Sequence, residues 1–343
     1  MAAHYQHCQD YYKRCLLCPR SCGVDRQAGK KGFCRESAAL RLACAVLYGG
    51  EEPPLLGKNG SGTIFVSGCN LGCVFCQTWQ ASQGERLTGA APVPLGKAVS
   101  IEKLVEICLA LQKKGAQNIN FVTGSHAVPA ITEGIAAARK AGLQIPIVWN
   151  SSGYEGPQSL EMLKNYVDIY MPDLKTLDSG LAARFFNAPD YPQTAAIAIL
   201  KMIDFCGGLR DKVIIRHLIL PGFLESTRQV LYWFAENAKG RALISVMSQY
   251  TPLKEKSREK MSKKAPRRYL EKKEYETVLG WLEEYSIEEG FCQEFTTDTH
   301  WLPDFNKANP FPPKLSVPVW HFNFQDDAPG DSAFAKIDSR DEC

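Results

Sequence analysis

Short apolar runs alternate along the chain with longer stretches whose apolar positions recur every three or four residues. The short runs cover Thr63–Ser67, Asn118–Thr123, Ile145–Asn150, Asp168–Met171, Val213–Leu220 and Leu243–Ser248. Their length and β-branched content predict strands. Between them, Ile101–Lys114, Val128–Ala141, Pro157–Tyr166, Leu181–Phe205 and Glu225–Ala238 carry helix-period apolar faces, the fourth broken around Pro189 and Pro192. Such alternation is the habit of βα units around a parallel sheet, in the α/β class. In a closed eight-stranded barrel, chemistry sits at the carboxyl ends of the strands. Six strands predict an arc instead, a partial (β/α)6 barrel of TIM type, whose open side suits a bulky substrate or a loop of another protein.

At 343 residues the chain can bury a substantial core in one large domain with appendages. The pattern divides it into an N-terminal cysteine-rich module (1–58), the partial barrel (59–252) and a C-terminal extension (253–343) with a helix over Glu274–Glu289 and a Pro-rich tail. A net charge of +3 gives no strong push toward nucleic acid or an anionic membrane. The chain shows neither a basic-then-apolar leader nor a long uncharged apolar run, so the expectation is a cytoplasmic protein. Lys254–Lys273 holds ten Lys or Arg in twenty residues and reads either as a solvated loop or as a docking surface for an acidic partner or nucleic acid.

Of the 13 cysteines, seven fall into two groups with metal-ligand spacing, which argues for ligation in a reducing compartment rather than a disulfide framework. The second group, Cys69, Cys73 and Cys76, directly follows the first strand with spacing C-x3-C-x2-C. A structural zinc wants four closed ligands, and three thiolates suit an iron–sulfur cubane with one iron left open to a substrate. The first group, Cys15, Cys18, Cys22 and Cys34, lies in a segment too small and polar to fold on its own core, so a metal would supply the missing stability. Zinc and a second iron–sulfur cluster both remain open there.

The cysteine loop, with an aromatic Phe75 before its last cysteine, resembles the signature of the radical S-adenosylmethionine (radical SAM) superfamily. The resemblance implies the partial barrel, a 4Fe–4S cluster whose open iron chelates SAM, and an electron donor such as flavodoxin or ferredoxin. It also implies reductive cleavage of SAM to methionine and a 5′-deoxyadenosyl radical that abstracts hydrogen. SAM then needs cations, acceptors and close backbone approach. The strand-end groups offer them: Lys175 and Arg216 for the carboxylate, Thr123, Gly124 and Ser125 for the ammonium, Asn150, Ser151 and Gln249 for hydroxyls, Asp173 for a cation or for ordering Lys175. Phe75 packs on the cluster or the adenine, and His217 reads as a hydrogen-bonded core histidine.

Group by group, these positions resemble the activating enzymes of glycyl-radical enzymes, of which the pyruvate formate-lyase activating enzyme is the prototype. Asn150-Ser151-Ser152-Gly153 matches that family's third-strand turn, Met171, Asp173 and Lys175 its fourth-strand pattern, and Arg216 with Pro221-Gly222 its fifth. The likeness implies SAM, a monovalent cation, and a glycyl-radical enzyme as protein substrate. Two departures stand out: Thr123-Gly124-Ser125-His126 replaces a Gly-Gly-Glu turn, which leaves His126 or backbone carbonyls to meet the SAM ammonium, and Asn150 replaces an Asp. The alternatives are a radical SAM enzyme acting on a small molecule, peptide or RNA, and a non-catalytic metal-binding scaffold.

Overall fold

A computed structural model describes residues 10–84, 94–252, 265–299 and 301–324. His300, much of the basic stretch and the end of the Pro-rich tail lie outside the described residues. Strand β1 (Arg41–Tyr48) runs antiparallel to β2 (Ser61–Val66). From β2 the sheet continues in parallel through β3 (Ile119–Val122), β4 (Ile147–Ser151) and β5 (Ile169–Pro172). Strands β6 (Ile214–Leu218) and β7 (Leu243–Met247) pair in parallel and join β5 through the bridges Tyr170–Val213 and Asp173–Arg216. The six expected strands are thus present in order.

Alternation along these strands separates two environments. The row Ile64, Phe121, Trp149 and Tyr170 is fully buried under the helices. The opposite parity, including Asn120, Val122 and Asn150, faces the barrel interior. The helices are α1 (Ile101–Lys113), α2 (Val128–Lys140), α3 (Pro157–Leu163), α4 (Ser179–Phe186), α5 (Tyr191–Phe205) and α6 (Leu224–Asn237). Ser100 and Asp178 cap α1 and α4 by accepting backbone N–H bonds from Lys103 and Leu181. The expected break in Leu181–Phe205 falls at Asn187, left-handed at φ 51°, and Pro189; Pro192 sits in the first turn of α5, where its missing N–H costs nothing. A further helix, α7 (Lys272–Glu284), starts from a Glu271/Glu274 capping box and stops five residues short of its expected end, because Ser286 turns the chain at φ 50°.

Four strands go beyond the expected six, one of them the two-residue Lys97–Ala98 paired with β1. Besides β1, β8 (Gly290–Cys292) extends the parallel arc beside β7, and β9 (Ser316–His321) pairs antiparallel with β1 at the opposite end. The segment joining β8 to β9 therefore crosses the side expected to be open. It is pinned by Gln80, whose amide donates to Asp304 and accepts from the Phe305 N–H, and by buried Phe305 and Phe311 packed on Phe65 at 5.2 and 5.6 Å. The segment expected as a separate N-terminal module supplies β1, while residues 14–40 contain neither helix nor strand. No helix among the described residues is long and apolar enough to cross a membrane.

Candidate active site

The cysteine loop leaves β2 through Gly68, whose φ of +83° admits a side chain only with strain. Space forbids one as well: a Cβ there would lie 2.6 Å from Glu36 Cγ and 2.7 Å from the Cys34 carbonyl. Past this point Cys69, Cys73 and Cys76 all line one cavity of about 440 Å³, within the range of small-molecule sites. The Leu71 N–H donates to Cys69 Sγ at 3.3 Å, and Cys76 Sγ lies 3.2 and 3.4 Å from the Ser82 and Thr78 hydroxyls. Phe75 lines the same cavity and makes edge-to-face contacts with Phe185, Phe186 and Tyr250 at 5.7 to 6.0 Å. Burial pushes the Cys73 thiol well up, with Lys175 pulling the other way.

Across the cavity stands a partly buried ion network. Asp173 gives one oxygen to Lys175 Nζ at 2.6 Å and the other to Arg216 Nε at 3.0 Å, and Arg216 also donates to Asn150 Oδ1 at 2.6 Å. Burial alone would raise the Asp173 carboxyl, but Arg216 and Lys175 outweigh it and hold it below the usual carboxylate range. Lys175 is pushed down by burial and raised more strongly by Asp173 and Cys73, so it keeps its charge beside the cysteine loop. Each oxygen of Asp173, the residue offered to a cation or to ordering Lys175, contacts one of the protein's own two cations.

The floor is acidic. Gly50–Pro53 enters the barrel from the opposite end of the strands, bringing Glu51 to Asn120 Nδ2 (3.0 Å) and Glu52 to Ser245 Oγ (3.3 Å) and Arg216 (3.9 Å). Burial and then the neighbouring Glu52 push the Glu51 carboxyl up to about 8.

Thr123, Asn150, Ser151, Asp173, Lys175, Arg216 and Gln249 line the cavity as expected from their strand-end positions. Gly124, Ser125 and His126 do not. Thr123 sits at φ 64°, an uncommon conformation for a β-branched residue, and turns the following residues away from the cavity. Gly124 packs against Trp149 and Ile131, and Ser125 donates to the buried Glu155 at 2.7 Å. His126 lies against Gly68 behind the loop; burial and then Arg26 push its imidazole down to about 3. A neutral, walled-off ring has no access to a bound substrate. His217 is hydrogen-bonded in the core to Leu174 O (2.7 Å) and Thr227 Oγ1 (3.0 Å).

A profile of the radical SAM superfamily matches residues 63–234, half of the chain. The chain belongs to the radical SAM superfamily. The uncharacterized protein MJ0674 of Methanocaldococcus jannaschii is 29% identical over 282 residues, covering 82% of this chain and 77% of that protein. Among solved structures, Streptococcus suis SuiB bound to S-adenosylmethionine aligns over 67% of this chain with TM-score 0.45 and 15% identity, and the chain spans 45% of SuiB. A domain of a pyruvate-formate lyase-activating enzyme from Bacteroides vulgatus ATCC 8482 aligns over 48% of this chain and 91% of that domain, with TM-score 0.37 and 11% identity.

Radical SAM enzymes use a 4Fe–4S cluster and SAM, and the residues present fit both. Three thiols open on one cavity, and no group of three or more His, Cys, Asp or Glu side chains among the described residues closes around a single ion. A multi-iron cluster, which spreads its ligands, suits that donor set better than zinc. On the cavity wall, Ser152 Oγ and Glu52 Oε2 are buried without a partner, so a polar ligand has groups to satisfy. Sequence reasoning missed Glu51, Glu52, Gln77 and the β8 residues Phe291 and Cys292, all of which line the cavity.

Proposed function

We propose that Cys69, Cys73 and Cys76 hold the 4Fe–4S cluster and that SAM occupies the cavity between this loop and the Asp173–Lys175–Arg216 network. The observation that carries the reading is that three loop thiols and two partly buried cations line the same cavity. When bound, cluster and cofactor supply reductive cleavage of SAM and hydrogen abstraction by the resulting 5′-deoxyadenosyl radical, given one electron from a donor such as flavodoxin or ferredoxin. The chain's own work is positional. Lys175 offers charge to the SAM carboxylate, Asp173 keeps Lys175 and Arg216 in place, and Arg216 fixes Asn150 for a hydroxyl. Phe75 and the surrounding aromatic rings exclude water from one wall. The dependence on thiolate ligands points to a reducing compartment, the cytoplasm.

For the substrate we propose a glycine of a partner protein, as in activating enzymes of glycyl-radical enzymes; the Met171-x-Asp173-x-Lys175 pattern supports this. A second reading, hydrogen abstraction from a small molecule, is favoured by the segment between β8 and β9. Trp301, Pro303 and Phe311 on it line the cavity and cover the side through which a protein loop would enter. The test is anaerobic. Dithionite-reduced, iron-reconstituted protein with SAM should yield 5′-deoxyadenosine, and absence of that product leaves only a metal-binding scaffold. With the partner protein present, a glycyl-radical doublet in the EPR spectrum supports the first substrate. Deuterium passing into 5′-deoxyadenosine from a labelled small-molecule pool, with no such doublet, supports the second.

A further inference from the structure

We propose that Cys15, Cys18, Cys22 and Cys34 hold a second iron–sulfur cluster, and that the module organised by this cluster fixes the radical SAM cysteine loop through Arg20. The four thiols converge: Cys15, Cys18 and Cys34 are buried, and Cys18 lies within electrostatic reach of the other three. They are dressed by donors suited to ligated sulfur. The Phe33 N–H donates to Cys22 Sγ at 3.3 Å, and Arg26, 1% exposed, places Nη1 3.7 Å from Cys15 Sγ.

Secondary structure and apolar packing contribute little to holding this segment. Residues 14–40 have no helix or strand, and the local apolar cluster is Tyr12, Cys15 and Leu17 with a few partly buried neighbours. Two non-glycine residues adjoining ligands, Ser21 beside Cys22 and Arg35 beside Cys34, are left-handed at φ 43° and 68°. Strain persists where surrounding structure over-determines it, and metal ligation on either side does so. The choice between zinc and iron follows from spacing. A tetrahedral zinc with bonds of about 2.3 Å would draw its sulfurs to about 4 Å from one another. No group of three or more Cys, His, Asp or Glu side chains among the described residues forms a ready single-ion site. A cubane takes each thiolate on a different iron and needs the wider set.

Arg20 lies between Cys18 and Cys22, with its guanidinium 3.8 Å from the centroid of the Phe33 ring, next to Cys34. Its N–H groups donate to the carbonyls of Asn70 (2.9 Å) and Leu71 (3.1 Å), inside the Cys69–Cys73 loop, and of Phe186 (2.8 Å) and Asn187 at the end of α4. One side chain thus ties one cysteine group to the other. Cys34 O and Glu36 complete the contact by flanking Gly68.

The test uses the full chain, purified and reconstituted without air. Wild-type protein should carry about eight iron and eight sulfide and no stoichiometric zinc, and Cys69→Ala/Cys73→Ala/Cys76→Ala should keep about four iron with a cubane Mössbauer signature. Because that variant lacks the proposed ligands of the SAM-binding cluster, its result is independent of SAM cleavage. About four iron in the wild type with none in the triple variant, or one zinc per chain, would overturn the second cluster. Arg20→Met should keep about eight iron while amide exchange at Asn70–Gly72 becomes at least about tenfold faster. Unchanged exchange there would overturn the coupling.

Discussion

The two cysteine groups lie on adjoining turns yet are built oppositely. Around Cys69, Cys73 and Cys76 a strand stands behind the loop, aromatic rings wall one side, and the sulfurs face a cavity. Around Cys15, Cys18, Cys22 and Cys34 there is no strand, and the sulfurs face one another, a buried arginine and backbone N–H groups. Three ligands go with an open face and four with a closed one. On the proposed assignments, the number of thiols separates a centre that would present iron to a ligand from one whose work would be structural.

The largest effect that can break this contrast is chemical. Cys73→Ala should abolish 5′-deoxyadenosine formation, measured by chromatography of anaerobic reactions. Cys22→Ser, at a partly exposed ligand of the closed site, should lower the thermal midpoint and leave residual SAM cleavage. Equal loss of activity in both would erase the distinction. Next in size, Asp173→Ala removes the carboxylate partner of Lys175 and leaves Arg216 with the more distant Glu52, and should cost about 3–5 kcal/mol, read from denaturant midpoints.

Gly68→Ala strains the contact between the sites and forces a Cβ onto Glu36 and Cys34, for a loss of about 1–3 kcal/mol. It should also lower the iron retained at both sites, whereas a fall at the barrel loop alone would mean that the sites are uncoupled. The smallest effect is a pH signature belonging to the cavity side. Glu51 has its carboxyl raised in the fold to about 8, so the stability linked to it is complete below the ordinary carboxyl range and lost as pH climbs through 8. The thermal midpoint of Glu51→Gln minus that of wild type should therefore grow from pH 5 to pH 9, and a flat difference would show that the carboxyl titrates normally.

Much of this was legible in the chain. Six strands and the cysteine loop announce themselves through β-branched runs and through spacing, both local signals. The strand-end reading placed Thr123, Asn150, Asp173, Lys175 and Arg216 at the cavity for the same reason. It failed at Gly124, Ser125 and His126 because the left-handed turn at Thr123 diverts the chain, and a torsion of that kind carries no compositional mark. Strand β9 was hidden by Pro318, tolerated because β9 is an edge strand opposite a register shift in β1, and β8 by its three-residue length. Glu51 and Glu52 precede two prolines and belong to no motif; only the long-range path of the backbone takes them into the barrel.

The pairing of β9 with β1 has a consequence for biogenesis. Residue 48 and residue 321 leave the ribosome on the order of 10–60 s apart at roughly 5–20 residues per second. Throughout that interval the outer edge of β1 waits for its partner, and the nascent barrel stands uncovered on the flank that the crossing segment later spans. The cavity lined by Cys69, Cys73 and Cys76 therefore has a wider doorway during translation than in the finished protein.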